Sequence, residues 1–300
     1  MDQTAAGRSQ TWKGYVLVLT AATLWGTIGI FYSQIIGVYG LSPLSAVLAR
    51  GVVACFILIA GLFVFRRDLL RIRRQDIPYF AVSGFITITL VFSFYVYAVT
   101  LVGVSVAAVL QYTAPAFVTI IAWRLFHEPL GRVKLVALAL AMAGVVLIAQ
   151  LYNPTGAQIN PVGILCGLGA GLCFGLYSIF NKRSVRTYHP WTVTTYNFTF
   201  GFLFLALIQA PAALPAVLAT PEAWPYIIAM AFFATVAAHG LYMHGLTHLP
   251  ASNASIISTW EPATAMILAY GVLGETLNAA QIIGVAAILL GVILLSRKGT

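Results

Sequence analysis

The sequence predicts an all-α membrane protein of ten transmembrane helices, arranged as two inverted five-helix repeats, and three observations carry that reading. Of its 300 residues, 61% are hydrophobic and only 8% are charged, against roughly 25% charged in an ordinary soluble protein. Apolar stretches of about the 20 residues needed to cross a bilayer recur along the whole chain. The chain also matches itself at a shift of 147 residues. These properties exclude a soluble enzyme and a disordered chain. The stretches are too long and too uniformly apolar for the alternating strands of an outer-membrane barrel.

The first span, 14–36, follows Arg8 and Lys13. It is too long for the apolar region of a signal peptide and no clear cleavage site follows, so it stays in the protein. Turn signals then delimit spans at 43–65, 77–100, 104–125, 131–151, 161–181, 190–211, 224–246, 251–273 and 277–296. The expected organisation is a cytoplasmic N-terminus (1–13), a first repeat (14–151), a linker (152–160), a second repeat (161–296) and a cytoplasmic C-terminus (297–300). Fifteen of the 16 Lys and Arg residues lie before the first span, in the loops 66–76, 124–134 and 182–186, or after the last span. The alternate loops, near 37–42, 101–103, 152–160, 212–223 and 274–278, contain none. By the positive-inside rule both termini are expected to face the cytoplasm. The net charge of +9 therefore marks orientation and not nucleic-acid binding.

Cys55, Cys166 and Cys173 sit inside apolar runs without metal-ligand spacing and read as small packing residues. The sequons at Asn197 and Asn253 fall within spans and read as accidental.

The self-match runs without a gap over most of each half. It pairs Pro43 with Pro190, Pro78 with Pro225, Tyr95 with Tyr242, Pro115 with Pro262, Glu128 with Glu275 and Gly144 with Gly291. A shift of 149 aligns the first span with the sixth through Gly14/Gly163 and Gly26/Gly175. Five spans per repeat is an odd number, so the second copy enters the membrane upside down. The basic loop 66–76 accordingly has a counterpart, 213–223, with no Lys or Arg. Inverted repeats place a substrate site at the midplane between the halves.

Two blocks then carry a family resemblance: Pro115 followed by HEPLGRVKLVALALAMAGVVLIA, and Pro262 followed by LGETLNAAQIIGVAAILLGVILL. A Pro in the fourth helix of the repeat, a Glu at the turn and a Gly-rich fifth helix resemble the EamA-type signature of the drug/metabolite transporter superfamily. The resemblance covers nearly the whole chain, and within that group the sequence looks most similar to bacterial exporters of aromatic and other amino acids, the YddG type. It implies ten helices in five-plus-five order around a central cavity, with the fourth and fifth helices of each repeat as scaffold. Pro115, Pro262, Glu128 and Glu275 belong to that signature. The two glutamates read as structural, each capping the N-terminus of the next helix. Gly163, Gly167, Gly171 and Gly175 recur every four residues, a stripe for close helix packing or for sliding.

Ionisable groups at membrane depth are the first functional candidates. Glu261, beside the helix-bending Pro262, offers a carboxylate and a freed carbonyl to an ammonium. His239, with Tyr242 one turn on, suits substrate binding, proton transfer or an interhelical hydrogen bond. Arg50 reads either as a cavity residue holding a carboxylate or as a structural cation that snorkels or pairs with a carbonyl. On the third span Thr89, Ser93 and Tyr97 form one polar stripe, with Tyr95 on another face. Gln111 and Tyr112 precede Pro115, and Ser258 and Trp260 precede Pro262, at equivalent places in the repeat. Trp25, Tyr177 and Asn181 complete a partly aromatic lining.

No nucleotide loop, HExxH, GxSxG or paired carboxylate within one span is present in the sequence, and no cofactor or metal is expected. The reading is a secondary transporter exporting small amphiphilic metabolites, chiefly neutral and aromatic amino acids. The alternatives are a broad drug and metabolite efflux carrier and a channel-like facilitator. The expected partners are the small-molecule substrate and the lipid bilayer; the sequence leaves the oligomeric state open, and an internal repeat is compatible with a monomer.

Overall fold

The computed structural model describes residues 2–153 and 160–298. Most of the expected linker, 154–159, lies outside the described residues. The spans are α1 (Gln10–Val38), α2 (Pro43–Phe65), α3 (Arg74–Val102), α4 (Val104–Phe126), α5 (Arg132–Ile148), α6 (Pro161–Ser184), α7 (Pro190–Leu218), α8 (Pro221–His248), α9 (Ala251–Leu273) and α10 (Ala279–Lys298). Among the described residues nine are long and apolar enough to cross a membrane. The other, α5, has 17 residues and rises roughly 26 Å, just short of a full span. It lies along α10, its repeat counterpart. One detail departs from expectation: the N-terminal segment is helical from Asp2 and continues directly into α1.

The contacts between helices have the two-fold pattern that an internal repeat requires. α2 packs on α7, α4 on α9 and α5 on α10, each a pair of counterparts. The α1–α8 contact is matched by α6–α3, and α1–α9 by α6–α4.

Glycines make the crossings possible, at equivalent places in both halves. A Cβ on Gly163 would meet Leu101 and Val102, and one on Gly14 would meet their counterparts His248 and Leu249. Gly175 faces Phe117 and Val118, and Gly26 faces the counterparts Thr264 and Ala265. Gly167 and Gly171 lie against Leu110, with the Leu110 carbonyl 2.6 Å from a Cβ built on Gly171. The glycine stripe of α6 is therefore a packing surface for α4 and the end of α3.

Three spans contain a wider turn that inserts a residue into the regular spacing. It occurs at Ser33–Val38 in α1, Phe85–Leu90 in α3 and Ala231–Ala237 in α8, and the last two are repeat counterparts. The helical run also breaks near the middle of α4, at Tyr112–Thr113, and of α9, at Thr259. Thr113 and Thr259 each donate a hydroxyl to a carbonyl three residues back, at 2.6 Å. Pro115 and Pro262 follow the breaks because neither can donate to the preceding turn.

These crossings yield a stability test. Gly171→Ala drives a methyl group into the backbone of α4 and is expected to cost about 1–3 kcal/mol. Gly61→Ala, where a Cβ meets open space, should be neutral or slightly stabilising. Melting temperatures of the two purified variants check the pair; equal melting would refute the close approach.

Candidate functional site

Between the two repeats lies a cavity of about 320 Å³. Its wall takes counterpart positions from both halves: Trp25 and Phe174, Ile28 and Tyr177, Phe92 and His239. The broken segment of α4 adds Gln111 and Tyr112, and α9 adds Glu261 just past its own break. Tyr112 and Glu261 thus face the same space.

His239 anchors the aromatic wall. Its Nδ1 lies 2.9 Å from the Thr235 carbonyl and 3.2 Å from the Trp25 indole nitrogen. The Thr235 carbonyl only accepts and the Trp25 indole N–H only donates, so Nδ1 bonds one or the other according to the tautomer of the ring. The Trp25 and His239 rings also meet edge-on, with centroids 4.8 Å apart.

Of the residues expected at the site, Trp25, Gln111, Tyr112, Tyr177, His239 and Glu261 line the cavity. The others do not. Tyr97 is 64% exposed on the outer surface of α3, and Tyr95 lines the cavity in its place. Thr89 is buried and donates to the Gly201 carbonyl, so the predicted stripe is not one face. The wide turn at Phe85–Leu90 rotates the residues after it. Tyr242 stands behind the wall, bonded to Ser178 at 2.6 Å and stacked on Tyr177. Asn181 is buried against Asn197, which receives Ser83 as well. Ser258 donates to the Ser255 carbonyl, and the Trp260 indole reaches Thr23 on α1. The break at Thr259 turns both from the cavity. Sequence reasoning missed Tyr32, Phe92, Phe198 and Phe202, which look like ordinary apolar residues of a span.

The two ends of the cavity differ. Toward the face bearing the basic loops, the second half of α8 packs on α6 and α7. Lys182 donates to the Leu246 and Leu249 carbonyls at 2.6 and 2.7 Å, and Ser178 meets Tyr242. Toward the other face, the equivalent half of α3 has no comparable contact with α1 or α2 among the described residues. There a second cavity of about 740 Å³ opens between α1, α4, α5 and α9. It shares Trp25, Tyr32, Tyr112 and Glu261 with the first, so the central cavity communicates with that face.

The signature glutamates differ in the same sense, and neither caps the helix that follows it. Glu128 is buried and crosses to α9, where it accepts the backbone N–H groups of Ala251 at 2.7 Å and Ser252 at 3.2 Å, together with the Ser252 hydroxyl. Lys134 completes the cluster, 3.7 Å from Glu128 and 2.8 Å from the Ser252 hydroxyl. The counterparts are Glu275, Val104, Ser105 and Gln281. Glu275 is exposed and faces the second cavity together with Val104 and Ser105, whose helix start has no side-chain cap.

A model of the EamA-like transporter family matches residues 12–150 and 161–297. The chain belongs to that family. Among EamA-like and related proteins, it is 28% identical over 287 residues to an uncharacterized transporter of Archaeoglobus fulgidus, covering 95% of this chain and 97% of that one. An uncharacterized transporter of Clostridium kluyveri is 24% identical, with 94% and 92% covered. The threonine/homoserine exporter RhtA of Salmonella typhimurium is 29% identical over 193 residues, covering 63% of this chain and 61% of RhtA. A protein crystal structure superposes with a TM-score of 0.77 at 19% identity over 95% of this chain and 98% of that one, a likeness of fold. These relatives support an EamA-like transporter but not the narrower likeness to YddG-type aromatic exporters.

The two clusters make opposite stability predictions. Glu128→Gln leaves Lys134 buried without its counter-charge and should cost about 3 kcal/mol. Glu275→Gln, at an exposed site, should change stability by less than about 0.5 kcal/mol. Thermal melts of both purified variants check the difference; a large loss for Glu275→Gln would contradict the open arrangement.

Proposed function

We propose that this EamA-like protein is a secondary transporter that exports neutral amino acids with apolar or aromatic side chains across the bacterial inner membrane by alternating access. The observation that carries the reading is the central cavity, which sets a carboxylate, Glu261, among aromatic rings and is sealed toward one face while it communicates with the other. Glu261 suits an ammonium and the rings suit an apolar side chain. That RhtA exports threonine and homoserine supports amino acids as the substrate class.

The clustered basic loops support a cytoplasmic sealed face, with both termini, and a periplasmic open one. Export then requires the reverse state, and the repeat supplies its contacts. Glu275 closes on the free N–H groups of Val104 and Ser105 as Glu128 now holds Ala251 and Ser252, while the Glu128 cluster opens. One carboxylate clasp forms as the other breaks.

Three measurements test this. In intact cells a membrane-impermeant thiol reagent should label Leu218→Cys and spare Leu70→Cys; the opposite pattern inverts the topology. In proteoliposomes, phenylalanine or leucine counterflow should saturate, and Glu261→Gln should reduce it roughly tenfold or more in a protein that still folds. Non-saturating flux means a channel, and transport of lipophilic cations without amino acids means a drug carrier. Glu275→Gln should slow counterflow about tenfold with unchanged melting, whereas unimpaired counterflow would discard the second clasp.

A further inference from the structure

Arg50 is 7% exposed, in the third turn of α2, and lines the central cavity. It lies roughly 10 Å along the helix from its start, and so little exposure excludes a side chain that has snorkelled to the surface. Pairing with a carbonyl is also absent: among the described residues its guanidinium has no hydrogen bond or ion pair, and Nε is buried without a partner. The faces of Tyr32 and Phe92 lie 5.9 Å from the charge, which offsets only part of the cost of burying it. The repeat counterpart, Asn197, is by contrast bonded to Ser83 and Asn181. Glu261 lines the same cavity yet forms no ion pair with Arg50. The Tyr177 hydroxyl, also in the cavity wall, is a second buried polar group without a partner.

We infer that Arg50 is the anchor for a carboxylate on the substrate, with the Tyr177 hydroxyl as a further donor, and that Glu261 is the opposite, cation-binding pole of the same site. A planar guanidinium with free N–H groups matches a carboxylate in two parallel hydrogen bonds. The arrangement accepts a zwitterion, whose two charges complete both poles, and disfavours a ligand that leaves Arg50 unpaired. This deepens the proposed amino acid specificity; only the ammonium end depends on that proposal.

The test is equilibrium binding to the purified full-length protein of four probes with the same ring: phenylalanine, phenylalanine amide, 3-phenylpropionate and phenethylamine. Wild type should bind phenylalanine roughly tenfold to a hundredfold more tightly than its amide or phenethylamine. Arg50→Gln should abolish that preference, and Arg50→Lys should retain it in weakened form. Melting temperatures of both variants establish folding, and the wild-type comparison needs no variant. Equal binding of phenylalanine and its amide by wild type overturns the role of Arg50 and leaves amino acid transport standing. A carboxylate preference that survives in Arg50→Gln overturns it too. Arg50-dependent binding of 3-phenylpropionate without binding of phenylalanine supports the anchor and refutes amino acids as the substrate. Binding of none of the four refutes both.

Discussion

The close approach of α6 to the interrupted backbone of α4, and of α1 to α9, is the constraint on which the rest of the structure depends. Glycine at 171 and 175 lets α6 sit against the carbonyls of Leu110 and Ala114, where any side chain would force the helices apart. That contact fixes the break in α4, and the break presents Gln111 and Tyr112 to the cavity. In the other half Gly26 brings α1 onto Thr264 and Ala265, with Glu261 one turn earlier on the same helix. Each wall of the cavity is thus set by a glycine in one element and a break in another.

Symmetry of the contacts makes their exceptions informative. The repeats agree at the helix crossings and disagree where α8 closes on α6 and α7 while α3 stands away from α1 and α2. Polar groups hold the closed end: Lys182 on two carbonyls and Glu128 on two N–H groups. Such bonds are directional and stop at a definite geometry, which suits two discrete states better than a continuum. At the open end the counterpart of Lys182 is Ser33, whose hydroxyl bonds its own helix. The two ends are therefore not equally held, and in the proposed alternation this divergence between the repeats would favour the state seen.

The spans, the repeat and its inversion were legible because hydropathy, punctuation by Pro, Gly and Glu, and the placement of basic residues each carry a long-range signal. Within the site, Glu261 and His239 were legible because an ionisable group at membrane depth stands out against apolar neighbours. Tyr97 was misplaced by regular helical spacing, which fails downstream of the wide turn in α3, and Ser258 and Trp260 by analogy with Gln111 and Tyr112, which the break at Thr259 does not preserve. Glu128 was assigned to cap the helix beside it in sequence, whereas the backbone N–H groups it accepts are more than a hundred residues away. Phe92 and Phe174 carry no signal alone, but they are the repeat counterparts of His239 and Trp25, and pairing candidates across the repeat would have found both.

The central claim is that equivalent contacts at the two ends exchange between states. Spin-label distances in lipid report it directly, between Ser33→Cys and Val102→Cys at one end and Lys182→Cys and Leu249→Cys at the other. Phenylalanine should shorten the first distance and lengthen the second in the same fraction of molecules. Two distances that stay fixed, or that change in the same sense, would contradict the account.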